Sequence, residues 1–179
     1  IAIVDADLNA VSMTTTIESA FGSRLMAAGF LLNNELTDFS LKPAGADGVP
    51  AANRVEGGKR PRSSMSPTLV FDSDGRLVMI VGSPGGHAII HYVARVIVAA
   101  LDWGMPLQAA LDAPHFGSRN GPTDLEANTP VARLQPQLEA LGHPIRVLEL
   151  ASGVHAILRV GDTWIGAADP RRDGAARGQ

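Results

Sequence analysis

The chain has 179 residues, enough to bury one good core, and carries 15 basic against 18 acidic residues for a formal charge of −3. That balance, with aromatic residues at only 4%, excludes a basic, base-stacking face for nucleic acid. The absence of cysteine excludes disulfides, thiolate zinc sites and cysteine nucleophiles. Hydrophobic residues make up 45% against 18% charged, and mean hydropathy is +0.10. These values point to a tightly packed domain or to a large surface buried against another chain. One domain over residues 1–179 is expected. The most apolar run, residues 88–101, is shorter than the roughly 20 residues that span a bilayer and contains His91 and Arg95, so no membrane insertion by this chain is expected. The opening Ile1-Ala2-Ile3-Val4, with no methionine and no visible signal peptide, leads us to expect a processed or truncated polypeptide.

Residues 1–6 and 10–17 read as a hairpin around Asp7-Leu8-Asn9. In its second strand Val11, Met13, Thr15 and Ile17 would share one face, and Ser12, Thr14, Thr16 and Glu18 the other. A row of hydroxyls ending in a carboxylate is unusual for a solvent face. Residues 22–30 are ambiguous, and Leu31-Leu32-Asn33-Asn34-Glu35 reads as a short buried segment entering a polar turn. Residues 42–62, rich in Gly, Pro and Ala, form one long irregular stretch of the kind that is usually functional or mobile. A second hairpin pairs 68–72 with 76–82 around Asp72-Ser73-Asp74-Gly75. Residues 87–102 read as a buried helix, apolar nearly all round, with His91, Arg95 and Asp102 on one narrow stripe. A short helix over 106–112 begins with Pro106 at its first position. Val131, Leu134, Leu138 and Leu141 keep helical spacing between an N-cap at Thr129 and a stop at Gly142. Strands are expected at 145–150, 154–160 and 163–168, the last two turning at Gly161-Asp162. Hairpins separated by helices, without alternating βαβ units, imply an α+β sandwich.

Two stretches carry chemistry. Gly-Lys-Arg-Pro-Arg-Ser-Ser-Met-Ser-Pro-Thr (residues 58–68) sets the hydroxyls of Ser63 and Ser64 before a strand. Gly-Ser-Pro-Gly-Gly (residues 82–86) sets Gly85 and Gly86 between a strand and a helix, where backbone amides suit a developing negative charge. Hydroxyls beside an amide cradle point to acyl transfer, yet no Ser–His–Asp set is evident. Each piece also has a plain reading: glycines that merely permit a tight turn, serines in a loop or helix cap, and Glu35 and Asp38 as ordinary turn carboxylates. His87 and His91 stand at i, i+4, but Arg95 continues their stripe and no third ligand is evident, so neither a metal nor any other cofactor is expected.

Taken in order, Thr-Thr-Thr, Leu-Leu-Asn-Asn-Glu-Leu-Thr-Asp-Phe-Ser, Lys-Arg-Pro-Arg-Ser-Ser-Met-Ser-Pro-Thr, Gly-Ser-Pro-Gly-Gly and Ala-Asp-Pro-Arg resemble the small subunit of γ-glutamyltranspeptidases, which are N-terminal-nucleophile hydrolases. The resemblance runs from Ile1 to about Arg172. It implies the αββα sandwich of that superfamily, completed by a large subunit cut from the same precursor. It also implies γ-glutamyl transfer or hydrolysis from glutathione-like amides through a γ-glutamyl-threonyl ester. The family's nucleophile is the new N-terminal threonine, whose own α-amine can act as base; matching Val4-Asp5 puts that residue three positions before Ile1. Thr16 matches the second threonine, which bonds to the nucleophile. Glu35 and Asp38 match the pair that holds the donor's ammonium, Ser63 and Ser64 the hydroxyls on its α-carboxylate, and Gly85 and Gly86 the oxyanion hole. Two positions depart from the family. Glu18 stands where Asn is common and would repel the donor's α-carboxylate unless protonated or paired with an Arg. Residues 42–62 contain no aromatic residue and make a short lid, which favours hydrolysis and bulkier donors. The alternatives are a glutaryl or cephalosporin-type acylase of the same fold, or an inactive fragment without its nucleophile. The resemblance implies a periplasmic or secreted location.

Overall fold

The computed structural model describes residues 1–178. In chain order the elements are β1 (Ala2–Val4), β2 (Ala10–Ser12), β3 (Met26–Ala27), β4 (Phe30–Leu31), β5 (Thr68–Phe71), β6 (Leu77–Gly82), α1 (Ile89–Leu101), α2 (Leu107–Asp112), β7 (Phe116–Ser118), β8 (Thr123–Glu126), α3 (Gln135–Ala140), β9 (Ile145–Leu148), β10 (His155–Val160) and β11 (Thr163–Ala168). The sequence reads as one domain, whereas packing divides the chain into two compact units: Ile1–Thr14 with the residues from Ser64 onward, and Thr15–Ser63.

In the larger unit the chain builds a four-stranded antiparallel sheet in the order β11-β10-β6-β5. β6 runs through its centre because Met79, Ile80 and Val81 can all be buried, and each is fully so. Met79 and Val81 face α1 and α2, forming the core with Val93, Val96, Ala99, Leu107, Leu111 and Ala156. Alternation turns Ile80 to the other face, where the β1–β2 hairpin lies against β6 and β10. Helices, sheet and hairpin are thus stacked in an α+β arrangement. Asp5 shapes the hairpin turn by accepting the Asp7 and Asn9 amides at 2.9 and 2.8 Å.

Several elements differ from the sequence expectation. β2 ends at Ser12 rather than continuing to 17, because its partner strand is only three residues long. The hydroxyl of Ser12 bonds to the main sheet instead of to water, donating to the Val81 carbonyl at 2.9 Å and accepting the Thr68 amide at 3.1 Å. Pro106 is the N-cap of α2, one position before its first residue. A βαβ unit is present after all: β8 and β9 pair in parallel, joined through a 3-10 turn (Pro130–Leu134) and α3, with β7 antiparallel on the other side of β8. β7 and β8 escape a sequence reading because Phe-Gly-Ser and Thr-Asp-Leu-Glu lack a β-branched run. Thr129 holds the N-cap position, but its hydroxyl donates backward to the Glu126 carbonyl at 2.7 Å.

α1 is largely buried, as its sequence suggests, but the polar stripe of His91, Arg95 and Asp102 is not uniform. Arg95 turns into the core, donating from Nε to His115 Nδ1 at 3.0 Å and from Nη1 to the Ala110 carbonyl at 2.8 Å. His115 Nε2 meets Ser152 Oγ at 2.8 Å, and Ser152 in turn bonds to Asp169. Arg171 closes the network. Its Nη1 reaches Asp169 at 3.1 Å, its Nη2 reaches Glu126 at 2.9 Å, and it also donates to the carbonyls of Leu111, Asp112 and Ala113 at the end of α2.

The smaller unit opens its ambiguous 22–30 stretch into the β3–β4 hairpin. Ala28 and Gly29, at φ 49° and 85°, give the pair of positive φ values that matches strand twist across a two-residue loop. The long irregular stretch is pinned by Asn53. Its Nδ2 donates to the Asp38 carbonyl at 2.6 Å and its Oδ1 accepts the Arg62 amide at 3.1 Å.

Truncating Arg171 leaves two buried carboxylates without their counter-charge. Arg171→Ala should therefore cost about 3–5 kcal/mol, seen as a lower urea midpoint of the full-length protein; an unchanged midpoint would contradict the role given to this residue. Acid should also destabilise the fold. Burial is the largest cause holding His87, His115 and His155 below the usual imidazole range. Asp169 is pushed up by burial but held well below the carboxylate range by His115, Ser152 and Arg171 together. For such depressed groups the unfolded chain takes up protons that the folded chain refuses. Stability should be fully present above about pH 6.5, fall below it as the unfolded histidines charge, and fall further below about pH 4. A midpoint that stays level from pH 7 to pH 3.5 would exclude this account.

Candidate functional site

The smaller unit draws together Thr16, Glu18 and Glu35. Thr16 Oγ1 accepts the Glu18 amide at 2.8 Å, and Glu18 adopts φ 71°, a left-handed backbone that a non-glycine residue takes only when its neighbours hold it there. The strand face expected to carry Thr14, Thr16 and Glu18 therefore does not exist as such: the ladder has ended, and a tight polar turn replaces it. Glu18 is not paired with an arginine among the described residues. Its carboxylate accepts the Ser19 hydroxyl at 2.7 Å and the Asn34 amide at 2.9 Å, which hold its acidity below the usual glutamate range. Asn34 is the organiser that sequence reading missed. It also accepts the Ser19 amide at 3.0 Å and donates to Thr37 Oγ1 at 2.9 Å. Its place in Asn-Asn-Glu was the available signal.

Glu35 opens a 3-10 helix that ends at Asp38. One oxygen, Oε1, is buried and has no hydrogen-bond partner among the described residues. Burial, then the like charges of Asp38 and Glu18, raise its carboxyl above the usual range. A carboxylate with a dry, unpartnered oxygen and two acidic neighbours is poised for a cation. Asp38 contributes its carbonyl to Asn53, and Ser63, exposed, is the last residue of this unit.

In the larger unit, Ser64 is half-buried and its carbonyl accepts the Ser66 hydroxyl at 2.9 Å. Gly85 and Gly86 lie between β6 and α1 at φ 133° and 59°. Among the described residues neither amide donates a backbone hydrogen bond. Gly85 is packed: a Cβ there would lie 2.5 Å from Tyr92 Cε2. Gly86 is open, with nothing within 4 Å of a Cβ, so an approaching group has room in front of it. The His87 and His91 rings do not act as a pair in this arrangement, since His91 packs against Gly117.

One cluster, His115, Ser152 and Asp169, resembles a Ser–His–Asp set that the sequence did not reveal, but its protons run the wrong way. Arginine can only donate, so the bond from Arg95 Nε makes His115 Nδ1 an acceptor and leaves the ring proton on Nε2. Nε2 then donates to Ser152, and Ser152 donates to Asp169. A nucleophilic serine needs a histidine that accepts its proton. All three side chains are also essentially inaccessible, so the cluster is structural. For the acidic group of the smaller unit, Glu18→Gln removes one like charge and should lower the Glu35 pKa. Titrating 13C-labelled glutamate carboxyls by NMR reads this directly, and an unmoved or raised Glu35 would show that Glu18 does not act on it.

The chain was then compared with known proteins. The family model for gamma-glutamyltranspeptidase matches residues 1–179. A glutathione hydrolase proenzyme of Pseudomonas sp. (strain A14) is 40% identical over 194 residues, covering 96% of this chain and 33% of that protein. The chain thus spans about a third of the length of such curated relatives. A mutant of Helicobacter pylori gamma-glutamyltranspeptidase superposes with a TM-score of 0.86 at 36% identity, covering 96% of this chain and 98% of that one. The cephalosporin acylase of Bacillus halodurans superposes with a TM-score of 0.82 at 28% identity, covering 99% of this chain and 34% of that one. The likeness to these solved structures extends through both units and includes the α+β fold of the N-terminal-nucleophile hydrolases. The chain belongs to the gamma-glutamyltranspeptidase family.

Proposed function

We propose that this chain is the small, catalytic part of an enzyme that transfers or hydrolyses γ-glutamyl groups of glutathione-like amides, working with a larger chain cut from the same precursor. The observation that carries the proposal is the pair of amides at Gly85 and Gly86, for which no backbone hydrogen bond is found among the described residues, with empty space where a Cβ of Gly86 would lie. The nucleophile in this reading is a threonine three positions before Ile1, assigned by the match of Val4-Asp5. Its hydroxyl oxygen attacks the γ-carbonyl while its α-amine takes the proton. The oxyanion that forms accepts bonds from Gly85 and Gly86. Collapse breaks the amide C–N bond, the leaving amine takes the proton, and an ester remains. Water or an amino acid then repeats the sequence and frees the threonine.

Thr16 already accepts the Glu18 amide, so its own proton is available to the nucleophile oxygen. Glu35 and Asp38 receive the donor's ammonium, for which the unpartnered Glu35 oxygen is suited. Glu18 adds a third carboxylate on the same unit, ionised and held by neutral donors. Ser63 and Ser64 take the α-carboxylate. The likeness to a cephalosporin acylase supports a second reading, a glutaryl-type acylase with the same chemistry on a donor that lacks the ammonium.

Full-length protein offered γ-glutamyl and glutaryl anilides separates the two readings: preferential release from the γ-glutamyl compound is expected, and preference for the glutaryl compound would reverse the assignment. Gly86→Ala is the sharper probe of the chemistry. The new Cβ meets no neighbour, and the φ of 59° costs a non-glycine residue only about 1–2 kcal/mol. The variant should stay folded and keep its amide, but the methyl group crowds the acyl group at the amides, so kcat should fall by about 10²–10³, the scale of losing one oxyanion donor. An unchanged kcat would remove these amides from the mechanism.

A further inference from the structure

The 82–86 loop does little to hold its own shape. Its own bonds are the Ser83 hydroxyl donating to the Pro84 carbonyl at 2.6 Å, a long 3.3 Å bond from the Ala88 amide to the Gly85 carbonyl, and the Ile89 amide donating to the Gly86 carbonyl. Two glycines at positive φ have many conformations open to them. The loop is gripped from outside. One support is Tyr92, buried in the first turns of α1, with the Gly85 backbone so close to its ring edge that a Cβ would sit 2.5 Å from Cε2. Tyr92 is backed by the His115 ring, 4.3 Å away and tilted by 49°.

A second support is the segment 151–154, whose Ala151 carbonyl lies 3.7 Å from the same Cβ position at Gly85. The Gly153 amide donates to Ser83 Oγ at 3.3 Å, and a Cβ on Gly153 would stand 2.8 Å from Pro84 Cγ. That segment is itself fixed. Arg172 Nη2 holds the Ala151 carbonyl at 2.9 Å, Ser152 bonds to Asp169, and the Asp169 amide donates to the Val154 carbonyl at 2.8 Å. Both supports are rooted in one buried network, through His115 and through Asp169.

We propose that Tyr92 and the 151–154 segment form a clamp that fixes the direction of the Gly85 and Gly86 amides, making Tyr92 and Gly153 positioning residues for acyl transfer. The proposal rests on the reading of those amides as oxyanion donors. An oxyanion donor acts only if it is aimed before charge develops, within a few tenths of an ångström. Two glycines cannot supply that rigidity, and the clamp does. Because the oxyanion exists only along the reaction path, loosening the clamp lowers kcat and leaves KM in place.

The test uses full-length protein and a γ-glutamyl anilide, with rates expressed per active site titrated by a covalent inhibitor and with the unfolding midpoint followed in parallel. Tyr92→Leu removes the ring edge, and Gly153→Ala pushes on Pro84. Each should lower kcat at least tenfold at unchanged KM, and Tyr92→Phe should recover most of the loss at position 92. If both variants keep kcat per titrated site within twofold of wild type while Gly86→Ala is impaired, the clamp is wrong and the oxyanion reading stands. A lowered midpoint with unchanged kcat per site likewise reduces Tyr92 to packing. If Gly86→Ala is silent, the oxyanion reading falls and the clamp falls with it.

Discussion

Arg171 is the point at which three parts of the larger unit meet. Its guanidinium takes Glu126 from β8, Asp169 from beyond β11, and the carbonyls that end α2. The carbonyls of Leu111, Asp112 and Ala113 belong to a helix C-terminus, where orphan acceptors need donors. A cation there also complements the negative end of a helix. A buried ion pair is weak evidence for net stability, because desolvating the charges costs much of what their attraction returns. Its contribution here is directional. A planar guanidinium with fixed N–H directions can satisfy two carboxylates and a helix end in few relative placements. The βαβ sheet, the helices and the main sheet are thereby tied to one geometry.

Arg95 shows the same residue type used differently. No carboxylate touches it, and its Nη2 has no partner among the described residues, so burial is the largest cause pulling its pKa down. What it gains is the Ala110 carbonyl and control of a proton. By fixing the His115 tautomer it sets the order Arg95 to His115 to Ser152 to Asp169, each group donating to the next. That one-way chain ends on the carboxylate that Arg171 also holds. With a cation at each end, the His115 ring has no nitrogen free to take the Ser152 proton, which rules out nucleophilic chemistry there.

The parts of this molecule legible in its sequence are those decided locally. Asp72-Ser73-Asp74-Gly75 and Gly161-Asp162 turn where their residues favour it, and β5–β6 and β10–β11 follow. The apolar run of α1 and the glycine punctuation after β6 were equally plain. What escaped was decided at a distance. β8 becomes a strand because β7 and β9 flank it, not because Thr-Asp-Leu-Glu favours one. Arg95 reads only as part of a polar stripe on a buried helix until His115 and Ala110 are seen to take its hydrogens. Glu18 looks like the end of a strand until Thr16 and Asn34 bend the chain into a left-handed turn. The site residues were visible as a motif, but the division of Thr16, Glu18, Glu35 and Asp38 into one unit and Ser64, Gly85 and Gly86 into the other was not.

The two loop glycines separate structural from chemical necessity. At Gly85 both φ and space forbid a side chain: the backbone sits at 133° and Tyr92 occupies the position of a Cβ. The fold alone accounts for that glycine. Gly86 is another matter. Its φ of 59° is one that asparagine or aspartate adopts at modest cost, and the space beside it is empty. A turn could therefore be built with a side chain at 86 and lose little. In the proposed reading, such a side chain would crowd the acyl group at the amides. The plain reading of these glycines as turn-formers is thus sufficient for the first and does not account for the second, and it is at the second that the proposed chemistry would add a demand that folding does not make.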